Sequence, residues 1–220
     1  MNAVQKIMTT IISLFPSTKL KNFCLNVIGH EIDLNAKFST NLVLGNSNLA
    51  IGSGSIVRPF NVFRDVNLLL GKNSKIGSWN WFSSAIALAK HPQYLPIFSI
   101  DESCGINSRN YFDCSGGISF GSFSDLAGVR STFISHFIDT KISQQVCLGI
   151  EVGSYTMLSS NVTVMPGAKV GNKCLVASGT VLIHREYEDG YLIAGVPGKQ
   201  KIMKDGTWFS RSLGHVSFIE

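Results

Sequence analysis

Five histidines supply most of the acid–base chemistry that this 220-residue chain could perform near neutral pH. They are His30, His91, His136, His184 and His215. A neutral imidazole can act as a general base on a hydroxyl group, or it can bind zinc. The chain also has five cysteines, but no two are spaced as C-x-x-C. We therefore expect reduced, mostly buried thiols and no zinc site.

The low share of charged residues narrows the class of protein. Only 15% of the residues are charged and 45% are hydrophobic, which excludes a disordered chain. No stretch of about 18 residues is apolar without a break, so no transmembrane helix is expected. A single lysine precedes the apolar stretch 7–15 and no cleavage site follows it, which argues against a secretory signal. We expect a cytoplasmic protein that could lie at the inner face of a membrane.

The net charge is +5, and the sequence contains no run of lysine or arginine. An electrostatic footprint for DNA or RNA should cluster on one part of the sequence. We therefore expect no nucleic-acid partner.

Residues 1–29 carry two apolar stripes with helical spacing. The first stripe is Val4, Ile7, Met8, Ile11, Ile12 and Phe15, and the second is Leu20, Phe23, Cys24, Val27 and Ile28. Pro16 should end the first helix, and Ser17 is placed to cap the second. We expect the stripes to pack on the rest of the domain or on a neighbouring subunit. Peripheral membrane association through residues 1–28 is the alternative.

An apolar residue recurs every six positions between residues 152 and 181. The positions are Val152, Leu158, Val164, Val170 and Val176. An α-helix would need a period of 3.6 and an ordinary strand a period of 2, so neither explains the pattern. A period of six predicts short flat segments joined by turns, with one large and one small inward side chain in each segment.

The same repeat appears earlier in the chain, for example at Ile51 and Ile76. Three hexads to a coil of about 18 residues predict a parallel β-helix of roughly seven coils. We expect this all-β solenoid to occupy residues 30–185. The register breaks near 88–103 and 137–147, and such insertions project as loops from one edge of a solenoid.

Two blocks link the repeats to a known family. The first is Val164–Gly171 (VMPGAKVG) and the second is Tyr191–Lys199 (YLIAGVPGK). With the hexads they resemble the hexapeptide-repeat acyltransferases over roughly residues 45–204, and Ile106–Gly117 looks most like the sugar and polysaccharide O-acetyltransferases. The resemblance implies a left-handed β-helix, although parallel crossovers are usually right-handed. It also implies a homotrimer with active sites between subunits, and acetyl-CoA as the acyl donor without a metal.

The resemblance assigns the general base to His136. The catalytic histidine of the family stands at the end of a hexad run next to an insertion, and His136 directly precedes the break at 137–147. Such a histidine takes the proton of the attacking hydroxyl. Asp139 could orient the imidazole ring, although an exposed loop would also explain a carboxylate there.

The other histidines receive different predictions. We expect His30 and His215 at the surface, and His91 as a structural, lid or acceptor-contacting residue in the first insertion. A γ-type carbonic anhydrase would need three histidines around zinc on neighbouring coils. His91, His136 and His184 are the candidates, but two of them fall in loops, so this enzyme class is not favoured.

The resemblance also suggests where CoA would bind. Ser160 and Ser178 match the small residues at coil edges that contact the pantetheine arm. Ile183 and His184 stand where the family usually has Thr-Lys, a departure that weakens the prediction for the phosphates. Lys199 matches the basic residue after G-V-P that reaches the CoA phosphates.

The acceptor residues implied by the resemblance lie earlier in the chain. Asn107 and Asp113 fall where sugar acetyltransferases hold acceptor hydroxyls, and Arg109 could hold an acidic sugar or a CoA phosphate. Asn107 could instead be a corner residue, because asparagine tolerates the left-handed conformation. The C-terminal segment 186–220 is expected to close the CoA site.

Together these features predict an acetyl-CoA-dependent O-acetyltransferase. Its acceptor would be a sugar or oligosaccharide in the synthesis of a bacterial surface polysaccharide, such as capsule, O-antigen or exopolysaccharide. Two alternatives remain open: a non-catalytic β-helix scaffold, and an acetyltransferase that acts on a small amine or amino acid.

Overall fold

The computed structural model describes residues 1–203 and 206–212. Two helices come first, α1 (Ala3–Ser13) and α2 (Lys19–Val27), and 26 short strands follow. The strands of the first five coils are β1 (Glu31–Ile32), β2 (Lys37–Phe38), β3 (Leu42–Leu44), β4 (Leu49–Ile51), β5 (Ile56–Val57), β6 (Val62–Arg64), β7 (Asn67–Leu70), β8 (Lys75–Ile76), β9 (Trp81–Ser83), β10 (Ile97–Ile100), β11 (Gly105–Ile106), β12 (Tyr111–Asp113), β13 (Ile118–Phe120), β14 (Asp125–Leu126) and β15 (Thr132–Ile134).

The remaining strands follow in the described part of the chain. They are β16 (His136–Asp139), β17 (Gln144–Cys147), β18 (Ile150–Val152), β19 (Met157–Leu158), β20 (Thr163–Val164), β21 (Lys169–Val170), β22 (Leu175–Val176), β23 (Val181–Leu182), β24 (Glu186–Tyr187), β25 (Tyr191–Ala194) and β26 (Lys199–Ile202). Two short 3-10 helices lie at Ile86–Leu88 and Thr207–Ser210.

Three parallel sheets form the faces of a prism. Face A begins with β1, face B with β2 and face C with β3, and each strand pairs with the equivalent strand of the next coil. The faces contain eight, nine and seven strands, and β26 adds to face B in antiparallel orientation. The chain turns from face B to face C at the B–C edge, and from face C back to face A at the C–A edge.

Inward positions of the hexads stack from coil to coil. On face C the rings of Phe63, Phe82, Phe112 and Phe133 form a continuous ladder with centroids 4.7 to 4.9 Å apart. These rings are fully buried, so a short strand contributes a large side chain to the core although it contains only two to four residues. Neighbouring coils therefore bury each other's cores, as the six-residue period predicts.

Both insertions leave the prism at the C–A edge. The first joins β9 to β10 and covers residues 84–96, whereas the sequence pattern placed it at 88–103. The difference arises because residues 97–100 alternate outward and inward and pair with β7 and β13. The second insertion is a hairpin of β16 and β17, which starts at residue 136.

The β-helix also continues beyond residue 185, where the sequence pattern ended it. β24 pairs with β21 and β25 pairs with β22, and they begin an eighth coil. Tyr187 and Ile193 occupy its inward positions and are fully buried. Tyr187 occupies an inward position that usually holds a smaller aliphatic residue. The sequence pattern therefore does not show this repeat.

The helices pack with their polar side chains inward, contrary to expectation. Thr9 and Ser13 of α1 and Lys21 and Asn22 of α2 are buried against the first coil. Most of the two apolar stripes is exposed, including Ile7 and other large side chains. Buried hydrogen bonds, described next, stabilise this orientation. Ile12 and Ile28 pack against the core, so the expected packing of the stripes on the domain holds for these two residues and is wrong for the exposed ones.

Lys21 anchors the junction of the two helices. Its ammonium group donates to the backbone carbonyls of Ser13, Phe15 and Ser39 at 2.8 Å each, and it lies 4.5 Å from the Phe38 ring centroid. Burial lowers the pKa of Lys21 to about 7. Three carbonyl acceptors and an aromatic face are nevertheless the partners that a buried ammonium group requires. The second helix is capped by Thr18 and not by Ser17, because Thr18 accepts from the Lys21 N–H.

His30 is buried, with 4% of its surface exposed, so its predicted surface location is wrong. Its Nδ1 accepts the Leu49 N–H at 3.2 Å, and its Nε2 lies 2.8 Å from the Thr9 hydroxyl. Because an N–H group faces Nδ1, the ring is neutral and carries its proton on Nε2. The neutral imidazole therefore connects α1 to the first coil, and a protonated ring could not accept the Leu49 N–H. His215 lies outside the described residues.

Acidification is expected to loosen the helices from the first coil. Burial lowers the pKa of His30 from 6.5 to about 4, so between these values the unfolded chain binds a proton that the folded chain does not. The contribution of His30 to the free energy of unfolding is complete above pH 6.5 and is lost as the pH falls towards 4. The loss should reach about 2 kcal/mol at pH 5. Urea unfolding at pH 7.5 and 5.0 measures this loss. The variant His30→Gln should reduce the change in the free energy of unfolding between the two pH values.

Candidate active site

His136 stands where the chain leaves face C for the inserted hairpin. β15 ends at Ile134, Ser135 follows, and His136 is the first residue of β16. Its partner across the hairpin is the buried Cys147. One third of the His136 side chain is exposed. The hairpin therefore holds the imidazole at the C–A edge, partly covered but accessible to a ligand.

A buried carboxylate from the preceding coil holds the imidazole. Asp113 Oδ2 lies 2.5 Å from His136 Nδ1, and 5% of the Asp113 side chain is exposed. The same oxygen accepts the backbone N–H groups of Ser135 at 3.0 Å and His136 at 3.1 Å. Asp113 Oδ1 accepts the Ser115 hydroxyl at 2.6 Å. Oδ1 also accepts the Ser115 N–H at 3.3 Å. Five donors thus fix the carboxylate, and the carboxylate fixes the ring.

These contacts differ from two of the sequence predictions. Asp113 was expected to hold the acceptor, but its oxygens are occupied within the chain by His136 and neighbouring groups. Asp139 was the candidate for orienting His136, but it lies at the far end of β16 and accepts the Lys141 N–H. The carboxylate that orients the His136 ring is therefore Asp113 and not Asp139.

The Asp113 contact determines which nitrogen of His136 can act as a base. A proton on Nδ1 is donated to the carboxylate, so the neutral ring presents an unprotonated Nε2. Within residues 1–203 and 206–212, no group forms a hydrogen bond to that Nε2. The arrangement can therefore accept a proton from a bound molecule, and the buried carboxylate stabilises the imidazolium that results.

A glycine permits the close packing beneath this pair. A side chain on Gly116 would place Cβ 2.7 Å from the Ser135 carbonyl oxygen and 2.8 Å from the Leu148 nitrogen. The Gly116 N–H donates to the Ser135 hydroxyl, which in turn donates to the Asp113 carbonyl. Sequence reasoning did not identify Ser115, Gly116 or Ser135 as supports of the site. The small-residue run at 115–117 was the only local signal.

The first insertion packs beside the same pair. The Ser115 hydroxyl accepts the Ala85 N–H, and the Ser115 carbonyl accepts the Leu95 N–H. Both ends of the insertion therefore bind Ser115. The Tyr94 hydroxyl contacts the Ser84 hydroxyl at 2.8 Å. His91 accepts the N–H of Gln93 and stabilises a turn. The insertion is therefore fixed to Ser115, whose hydroxyl also binds Asp113.

The residues expected at the CoA site separate into two groups. Ser160 and Ser178 lie at the B–C edge on successive coils, linked by the Gly179 N–H to the Ser160 carbonyl at 3.0 Å. Lys199 is exposed at the start of β26, just after the turn that follows β25. These three side chains share one side of the last coils.

Ile183 and His184 instead follow β23 at the C–A edge, the edge that carries His136. The His184 ring packs directly on Gly167, where a Cβ would lie 2.8 Å from Cδ2. Both residues are exposed. The structure therefore places them two coils beyond His136 and away from Ser160 and Ser178.

The two remaining acceptor candidates lie at the B–C edge, whereas His136 lies at the C–A edge. Asn107 and Arg109 belong to the B–C turn after β11. The Asn107 amide donates to the Ala127 carbonyl and its oxygen accepts the Ser108 N–H, so this side chain supports the turn. Arg109 is exposed in the left-handed conformation, with φ of 64°. The structure does not bring either residue to His136.

Metal ligands do not gather in the part of the chain that the structure describes. No group of three or more histidine, cysteine, aspartate or glutamate residues there could hold a metal ion. The described helices are also too short or too polar to span a bilayer.

No protein-family profile matches the chain. Among curated proteins, the "Putative acetyltransferase YvoF" of Bacillus subtilis (strain 168) is 30% identical over 72 residues, which cover 33% of this chain and 40% of that protein. The chain therefore spans less than half of the length of this relative.

Solved structures give a broader match. The polysialic acid O-acetyltransferase OatWY superposes with a TM-score of 0.55 at 18% identity, over 80% of this chain and 87% of that one. A hexapeptide-repeat acetyltransferase from Vibrio cholerae, solved with acetyl coenzyme A, gives 0.44 at 15% identity over 92% and 88%. The stacked parallel sheets, with the likeness to OatWY, confirm the expected fold of a parallel β-helix with a short helical N-terminus.

Proposed function

We propose that the protein is an acetyl-CoA-dependent O-acetyltransferase that modifies a sugar hydroxyl. The observation that carries the proposal is the pair of His136 and Asp113, which leaves a free Nε2 at an accessible edge. A hydroxyl is a weak nucleophile at neutral pH, so its acylation requires a base at this kind of position. The OatWY fold and the partial match to YvoF support the same activity.

His136 would serve as base and then as acid. Its Nε2 takes the proton of the acceptor hydroxyl as the hydroxyl oxygen bonds to the thioester carbon. The carbon–sulfur bond then breaks, and Nε2–H returns the proton to the departing sulfur. The products are the acetyl ester and CoA. Asp113 keeps the proton of Nδ1 in place and stabilises the transient positive charge on the ring.

Acetyl-CoA and the acceptor would approach His136 along the C–A edge. Ile183 and His184 lie on this edge, so in this proposal they would contact the donor on the same chain. Ser160, Ser178 and Lys199 would serve the donor from a neighbouring subunit of a homotrimer, which is the assembly that the sequence resemblance implies. We further propose that the enzyme acts on the cytoplasmic side, on precursors of a surface polysaccharide.

An assay of thiol release tests this function. We expect the purified chain to release CoA from acetyl-CoA when supplied with oligosaccharides, and mass spectrometry should detect an ester that mild alkali removes. Alkali-stable products with amino sugars or amino acids would instead support the N-acetyltransferase alternative. A chain that neither binds CoA nor releases thiol would support the non-catalytic scaffold.

A further inference from the structure

The exposed side of the two N-terminal helices forms an unusually apolar surface. Nine large apolar side chains on it are each between 41% and 71% exposed. This apolar helix face consists of Val4, Ile7, Met8, Ile11, Leu14, Phe15, Leu20, Phe23 and Val27. Contiguous apolar surface of this kind on a soluble protein marks an interaction site.

The helices cannot turn this face inward without breaking buried hydrogen bonds. Thr10 donates to the Val43 carbonyl at 2.6 Å, and Asn22 donates to the carbonyls of Asp33 and Ala36. Lys21 adds its three carbonyl contacts, and His30 holds Thr9. The polar side is thus bound to the first coil through several side chains. The outward direction of the apolar face is a property of the fold and not of loosely attached helices.

The charges beside the face favour a negatively charged partner. Residues 1–30 contain no aspartate or glutamate and three lysines, of which Lys21 is buried against the first coil, so Lys6 and Lys19 remain. Lys19 is exposed one turn before Phe23, and Lys6 is half-buried in the first helix. A symmetric contact between two copies would bring these lysines together without a carboxylate from either helix pair. An anionic lipid surface would satisfy both the apolar side chains and the ammonium groups.

We propose that the apolar helix face binds the surface of an anionic bilayer, with α1 and α2 lying in the plane of the interface. Side chains such as Ile7, Phe15 and Phe23 would enter the boundary between headgroups and acyl chains. The lysine stems would extend along the same surface and leave their ammonium groups at the lipid phosphates. This inference does not depend on the proposed acetyltransferase activity, because no residue of the candidate active site belongs to the face.

Vesicle flotation with the full chain tests the proposal. We expect the protein to float with vesicles that mix phosphatidylcholine and phosphatidylglycerol, and to bind pure phosphatidylcholine more weakly. The double variant Ile7→Glu/Ile11→Glu should lower partitioning into the mixed vesicles at least about tenfold, because two inserted side chains are lost. Lys19→Glu should weaken binding to the mixed vesicles alone.

Ile202→Glu provides the matched control. Ile202 is 92% exposed in β26, which belongs to the last coil, at the other end of the β-helix from the helices. This variant should bind vesicles like the wild type. Thermal unfolding should be alike in all variants, because every substituted side chain faces solvent.

Two results would overturn the proposal. One is a wild-type protein that remains unbound with both vesicle types. The other is equal partitioning of the wild type and Ile7→Glu/Ile11→Glu. If light scattering then shows that the double variant dissociates an oligomer, a second copy of the chain covers the face instead.

Discussion

Replacing His136 with alanine should lower the turnover of acetyl transfer by about 10²- to 10⁴-fold, the range that removal of a general base typically produces. The reason is that Nε2 is the basic atom that the structure leaves free at the site, while Nδ1 is committed to Asp113. Binding of CoA should be retained. Steady-state kinetics with acetyl-CoA and calorimetric titration with CoA measure the two quantities separately.

His91→Ala is a useful comparison for this variant. His91 also lies beside the C–A edge, but its Nδ1 stabilises a turn by accepting the Gln93 N–H. We expect this variant to keep most of its turnover. Near-normal turnover of His136→Ala would contradict the assignment of the base, and loss of CoA binding in the same variant would indicate a structural role. The free energy of unfolding should change little, because Asp113 retains its other donors.

The fold was predictable because each hexad carries its own information. A large inward residue every six positions, such as Leu158, Val164 and Val170, specifies a short strand and a turn without reference to the rest of the chain. Stacking similar units then gives a parallel β-helix, whose left-handed sense was implied by the family resemblance and not by the period. The interruption that follows His136 is visible in the sequence for the same reason, whereas the choice of His136 as the base came from the family resemblance.

The partner of His136 was not predictable in the same way. Asp113 lies 23 residues earlier in the chain, and the two meet because β12 and β15 are neighbours on face C. The register of one coil against the next determines which carboxylate reaches the ring. Asp139 is nearer in sequence, but the antiparallel hairpin carries it away from the edge. Proximity along the chain was therefore a poor guide to contact.

The hydrophobic pattern did not predict which face of the helices is buried, for a related reason. Apolar stripes predict burial because water normally drives them inward. Here the first coil offers backbone carbonyls and His30 as well as an apolar surface, and polar side chains such as Lys21 and Asn22 bind the carbonyls. Carbonyl groups at the open end of a β-helix do not appear in a hydrophobic pattern.

The low charge content also follows from the repeat, whose turns use glycine, serine and asparagine.

Replacing Asp113 with asparagine should lower turnover by about 100-fold or more, although Asp113 touches no substrate. If the amide nitrogen faces His136, the ring must accept on Nδ1 and carry its proton on Nε2, which removes the base. If the amide oxygen faces His136, the ring keeps its orientation but loses the negative charge that stabilises the imidazolium. Both orientations weaken the base, so the acid limb of the pH profile of kcat/KM should shift to lower pH wherever activity remains.

Asp139→Asn is the matched control, because Asp139 lies in the same hairpin as His136 but contacts Lys141. It should leave both the rate and the pH profile unchanged. A purely structural role of Asp113 would lower the free energy of unfolding without moving the acid limb. Wild-type kinetics in Asp113→Asn combined with a loss in Asp139→Asn would show that the hairpin carboxylate orients the ring. The two variants together therefore distinguish the carboxylate that is near in space from the one that is near in sequence.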